Sequence, residues 1–133
     1  MAADLSITVC RPVRVIEQVT GTADETIAVG KAVRFDTTTG GITKANATSA
    51  AEARCIGLAI KAANFVNEAI TVVRKGILDV GNALGELTYD DDVYLSNTDG
   101  TLSDTAGSNS LRVGTVVPGL GSTTPDKLLR VDL

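Results

Sequence analysis

Val33-Arg34-Phe35-Asp36-Thr37-Thr38-Thr39-Gly40-Gly41-Ile42-Thr43 returns, without a gap, as Val93-Tyr94-Leu95-Ser96-Asn97-Thr98-Asp99-Gly100-Thr101-Leu102-Ser103. Each copy alternates apolar and polar residues, crosses a polar turn containing glycine, and resumes the alternation. Period-two alternation lines up the apolar residues on one face of a strand. A glycine between two strands supplies the positive φ of a tight hairpin. Each copy therefore predicts strand, turn, strand. The likeness extends further. Arg54-Cys55-Ile56-Gly57-Leu58-Ala59 matches Leu111-Arg112-Val113-Gly114-Thr115-Val116, and Val72-Val73-Arg74 matches Leu128-Leu129-Arg130. A strand, a polar hairpin, an apolar–Gly pair and a closing strand are thus used twice, in halves at about residues 27–80 and 87–133. Two copies are too few for a solenoid and suit two packed halves.

The rest of the chain fits this frame. Short strand-like segments lie at Ile7–Val9, Val13–Ile16, Ile27–Val29, Ala69–Arg74 and Ile77–Val80, with Gly30, Gly76, Gly81 and Gly85 as punctuation. Thr48–Arg54 has helical character for one or two turns, with Ser49 placed to cap it. Pro118–Pro125 reads as a long exposed loop, because proline and glycine are poor residues for a strand interior. The expected fold is all-β. It is a small antiparallel β-barrel or β-sandwich with an internal pseudo-two-fold repeat, formed by residues 1–133 as one domain.

Composition narrows the chemistry. Of 133 residues, 44% are apolar but only Phe35, Phe65, Tyr89 and Tyr94 are aromatic, so the core must be aliphatic. The net charge of −4 and the scattered basic residues speak against binding nucleic acid or an anionic membrane surface. There is no apolar run long enough to span a bilayer, and Met1–Leu5 lacks a signal-like start, so folding in a cytoplasm is expected. There Cys10 and Cys55 are expected to be free, buried thiols.

With no histidine, the commonest general base and metal ligand is missing, and Ser-His-Asp or Cys-His catalysis is impossible within one chain. Two cysteines alone make a poor zinc site. Asp90-Asp91-Asp92 alternate in direction along an extended chain and converge poorly on a cation. A calcium-loop reading of Asn97–Gly100 fails at Leu95. No enzyme activity, cofactor or metal is expected. Asn46-Ala47-Thr48 is a formal glycosylation sequon that marks an exposed loop.

Val29–Asp36, Gly41–Ala45, Arg54–Ala59, Asp92–Ser96, Gly100–Leu102 and Val113–Val116, in that order and spacing, resemble the tailed-phage capsid cement, or head-decoration, family. The likeness covers roughly residues 13 to 133. It implies a β protein that adds to the outside of an icosahedral shell, made in the bacterial host cytoplasm and carried on the virion. Its partners would be the major capsid protein and other copies of itself, as a dimer or trimer. A recombinase-like label attached to some relatives finds no support: around Gly30-Lys31, Glu25 and Ala32 occupy positions where a P-loop needs Gly and Ser/Thr.

Residues 1–12 read either as a first core strand or as an arm that adds to a neighbour's sheet edge. The candidate partner-binding residues are Leu5, Ile7, Val9, Arg11 and Arg14, with Leu120 in the late loop. Two other readings stand beside this one. A phage tail or fibre-associated β module uses similar hairpins. A biotinyl- or lipoyl-type carrier would need its lysine on a hairpin between the halves, where Arg74-Lys75-Gly76 lacks the flanking Met residues.

Overall fold

A computed structural model describes residues 4–119 and 127–133. The described chain is all-β. Its strands are β1 (Arg11–Thr22), β2 (Ala32–Phe35), β3 (Ile42–Lys44), β4 (Gly57–Ala59), β5 (Ala69–Asp79), β6 (Asp92–Leu95), β7 (Leu102–Ser103), β8 (Arg112–Pro118) and β9 (Lys127–Asp132). They form a single antiparallel sheet in the order β3-β2-β4-β5-β9-β8-β6-β7, which curls into a half-barrel. β1 lies off this path and pairs with β5.

The internal repeat is realised as two half-sheets sharing β5. β2 and β3 form one hairpin and β6 and β7 the other, with Phe35 opposite Ile42 and Leu95 opposite Leu102. The turns are built alike. Asp36 N–H donates to the Gly41 carbonyl, and Ser96 N–H to that of Thr101. The Asp36 carboxylate accepts the Thr38 N–H at 2.8 Å, and the Ser96 hydroxyl accepts that of Thr98 at 3.0 Å. Gly40 and Gly100 hold φ of 72° and 70°, as the repeated turn demands. Val33 faces Gly57 across the ladder, as Val93 faces Gly114.

The third segment of the repeat is corrected by one residue. Leu58 pairs with Val73, and Thr115 with Arg130, so in the ladder Val73 corresponds to Arg130 and not to Leu129. Fifteen positions separate Leu58 from Val73 and Thr115 from Arg130, so the ladder keeps the offset that matches Gly57 to Gly114. Within β5 itself there is a bulge: Glu17 and Gln18 of β1 face Lys75 and Val73, leaving Arg74 as the extra residue.

Other departures from expectation have local causes. Ala69–Arg74 and Ile77–Val80 are one strand, not two, because Gly76 is not a turn. It sits mid-strand with φ 153°, where a Cβ would fall 2.3 Å from the Arg14 carbonyl oxygen of β1. The glycine serves close backbone approach. Ile27–Val29 is not a strand; Ile27 makes only an isolated bridge with Ala63. Ile7–Val9 forms no ladder either. Thr48–Arg54 makes a single turn without a helix, the Ser49 hydroxyl accepting the Glu52 N–H at 3.2 Å. Pro118 closes β8 instead of opening a loop, and residues 120–125 of that loop lie outside the described residues.

Two cores hold the sheet. The main one fills the concave side, with Leu58, Val73, Leu78, Leu84, Val93, Leu95, Leu102 and Leu129 fully buried. The second lies on the opposite side of the first half only, where Ala23, Ile27 and Ala63 cover Val33, Ile42, Ala59, Ile70 and Val72. The ends of the curled sheet meet through backbone bonds: Gly100 N–H to the Ala45 carbonyl, Ala32 N–H to that of Gly100, and Ala47 N–H to that of Ser96. Asn46 ties the same seam, donating to the Glu52 and Asp99 carboxylates at 2.6 and 3.1 Å. Cys10 and Cys55 are free thiols, each pushed up to about 11, chiefly by burial.

Candidate interaction surface

The residues expected to bind a partner separate into two environments. Leu5 and Ile7 are half-buried and pack against the chain's own main core. Leu5 N–H donates to the Leu102 carbonyl, and Asp4 accepts the Ser96 and Thr98 hydroxyls. Val9 is half-buried as well. Residues 4–10 thus lie along the body, with alternate apolar side chains turned inward. Arg11 and Arg14 lie on β1, are exposed, and make no ion pair among the described residues. Leu120 lies outside the described residues.

β1 itself carries the larger signal. It is hydrogen-bonded along one edge, to β5, and from Arg11 to Gln18 every residue is exposed. Two bulges shape it. Arg14 pairs with Ile77, Val15 with Gly76 and Glu17 with Lys75, so Val13 and Ile16 are extra residues. Bulges re-aim side chains, and these two are left 52% and 65% exposed, with Val15 at 41%. The alternation around Val13–Ile16 reads as a strand from sequence, and apolar periodicity cannot report that neither face is covered. The bulges have no residue-type signature.

Beside β1 runs a groove of about 280 Å3, lined by Arg14, Ile16, Lys75, Ile77, Arg130 and Asp132. Lys75 and Arg130 each approach Asp132 at 3.9 Å, and Arg74 approaches Glu17 at 4.0 Å. These are exposed pairs of small energetic weight. The face is cationic on a chain whose net charge is −4.

The far end of the β1–β5 ribbon bears a second apolar feature. Phe65 and Val66 are 74% and 57% exposed at the tip of a turn. The turn is firmly built: the Glu68 carboxylate accepts the Asn64 and Phe65 N–H groups at 2.7 and 3.0 Å, and Asn67 N–H donates to the Ala23 carbonyl. Two adjacent apolar side chains held in water on a hydrogen-bonded turn form a small patch open to a partner surface. Sequence reading missed this tip, since a lone Phe-Val pair carries no periodicity.

Asp90 and Asp91 sit in a turn before β6, and Asp91 accepts the Thr88 N–H at 2.8 Å, which holds its carboxyl below the usual range. Among the described residues no group of three or more His, Cys, Asp or Glu is placed to hold a metal ion. Compared with protein-family models, characterised proteins and solved structures, the chain matches none.

Proposed function

We propose that this chain is a structural decoration protein that binds the outer surface of a phage head, bridges major capsid subunits and stiffens the shell. The observation that carries the reading is the Phe65–Val66 tip, an exposed apolar anchor on a turn fixed by hydrogen bonds. Preorganised aromatic anchors lose little entropy on docking and are the usual centres of binding energy. The motif order that resembles the cement family supplies the identity of the target. The mechanism is adhesive and non-catalytic: many copies each add a modest contact, and the contacts sum through multivalency. The protein would be made in the bacterial cytoplasm, carried on the virion, and act on protein without contacting nucleic acid or membrane.

The test is to mix purified protein with expanded shells that lack it. Co-sedimentation and a higher rupture temperature are expected, and Phe65→Asp should weaken binding tenfold or more while the isolated protein stays folded. Absence of both co-sedimentation and thermal gain would overturn the reading.

A further inference from the structure

We propose that β1 is a self-pairing strand, through which two copies of this chain join antiparallel about a two-fold axis at Val15. This rests on the cement-family reading, whose resemblance implies self-association, and names the surface for it.

The first ground is the open edge. β5 satisfies one side of β1, and among the described residues nothing pairs with the other side. An unpaired edge of this length is a template for another strand. The second is the character of the bulges. Bulges and Pro12 interrupt this edge, as they do in protected ones, but the residues the bulges leave outside are apolar, Val13 and Ile16 at 52% and 65% exposed.

The third ground, which selects the occupant, is charge. Arg14, Val15 and Glu17 take consecutive ladder steps, opposite Ile77, Gly76 and Lys75. An antiparallel two-fold axis is normal to the sheet and keeps each residue on its own face, so residues at equal steps on either side of the axis meet. An axis at Val15 sets Arg14 opposite Glu17 of the second copy, and Glu17 opposite its Arg14. Moving the axis one step, to Arg14 or to Glu17, puts like charges directly against each other. The strand is therefore complementary to itself in one register, with Val15 against Val15 at the centre. The existing Arg74–Glu17 approach of 4.0 Å is exposed and weak enough to yield.

The experiment uses the free protein, with no shell present, so its outcome is independent of shell binding. The mass in solution should be twice that of the 13.7 kDa chain. Val15→Cys should cross-link into a covalent dimer on mild oxidation, above the background given by the wild type, whose Cys10 is buried and Cys55 partly buried. Arg14→Glu and Glu17→Arg should each give monomer, and the double exchange should restore the dimer. Circular dichroism and melting check that each variant is folded. A monomeric or trimeric wild-type mass, no cross-link at residue 15, or a double exchange that stays monomeric would overturn the proposal.

Discussion

Val93, Leu95 and Leu102 point into the main core, whereas Val33 and Ile42, their counterparts in the other hairpin, point into the second core across the sheet, and the remaining counterpart, Phe35, is 45% exposed. The same inversion runs through the later strands. In the second half Arg130 is exposed, and Thr115, buried beside it, shares its face away from the main core, while their ladder equivalents Leu58 and Val73 face that core. Cys55 packs on that core, and its equivalent Arg112 reaches solvent to meet Asp92 at 3.5 Å. One pattern therefore buries opposite faces in its two uses. Alternation specifies that one face is buried, and a single ladder step decides which. The bulge at Arg74 supplies such a step within β5, the strand both halves share.

The halves also differ in how many faces they bury. The first is covered on both sides, and its strands carry adjacent apolar pairs: Ala32-Val33, Leu58-Ala59, Val72-Val73. The second is covered on one side, and its equivalents are mixed: Asp92-Val93, Thr115-Val116, Leu129-Arg130. Strands covered on both faces lose alternation and read as continuous apolar runs.

The most severe way to break the comparison acts on what the halves share. At Gly57, with φ 151°, a Cβ would lie 2.2 Å from the Val73 carbonyl oxygen; at Gly114 it would lie 1.9 Å from that of Arg130. Gly57→Ala, through backbone strain at positive φ and overpacking, and Gly114→Ala, through overpacking against the Arg130 backbone alone, should each cost roughly 3 kcal/mol or prevent folding. Urea denaturation measures this, and a loss below ~1 kcal/mol at either site would show that the two ladders are not equivalent.

A sharper contrast comes from the hairpins. Leu95→Ala should cost about 3 kcal/mol by opening a cavity in the main core, while Phe35→Ala at the same repeat position should cost less than ~1 kcal/mol. Equal losses would contradict the opposed faces.

The smallest effect concerns the thiols. Cys10 and Cys55 titrate near pH 9 when unfolded and near 11 when folded. The folded state holds the extra proton between those values, so their contribution is complete below pH 9 and is lost as pH rises through 11. Cys55→Ser should flatten the alkaline fall by on the order of 1–2 kcal/mol. Iodoacetamide should label the native thiols at pH 8 far more slowly than the unfolded ones. An unchanged alkaline slope with fast labelling would place Cys55 on the solvent side, where Arg112 stands.

Much of the scaffold was legible before any coordinates. Asp36, Ser96, Gly40 and Gly100 announce two equivalent turns, because local hydrogen bonds and backbone torsion suffice to form them. Of the residues read as partner-binding, Arg11 and Arg14 lie exposed on β1, whereas Leu5, Ile7 and Val9 are half-buried along the body. Val13–Ile16 reads as a strand, but its exposure depends on what covers that strand, and Phe65 lacks any pattern to mark it.

The sequence by itself determined that hairpins form, and form twice, since period-two alternation and glycine turns act over a few residues. Tertiary structure alone decided which face of each hairpin is inside, through the Arg74 bulge and the covering of one half by Ala23, Ile27 and Ala63. It alone brought Arg11 opposite Asp79 and so left β1 with an open edge. These outcomes depend on contacts between residues distant in the chain, whose closing no local pattern encodes.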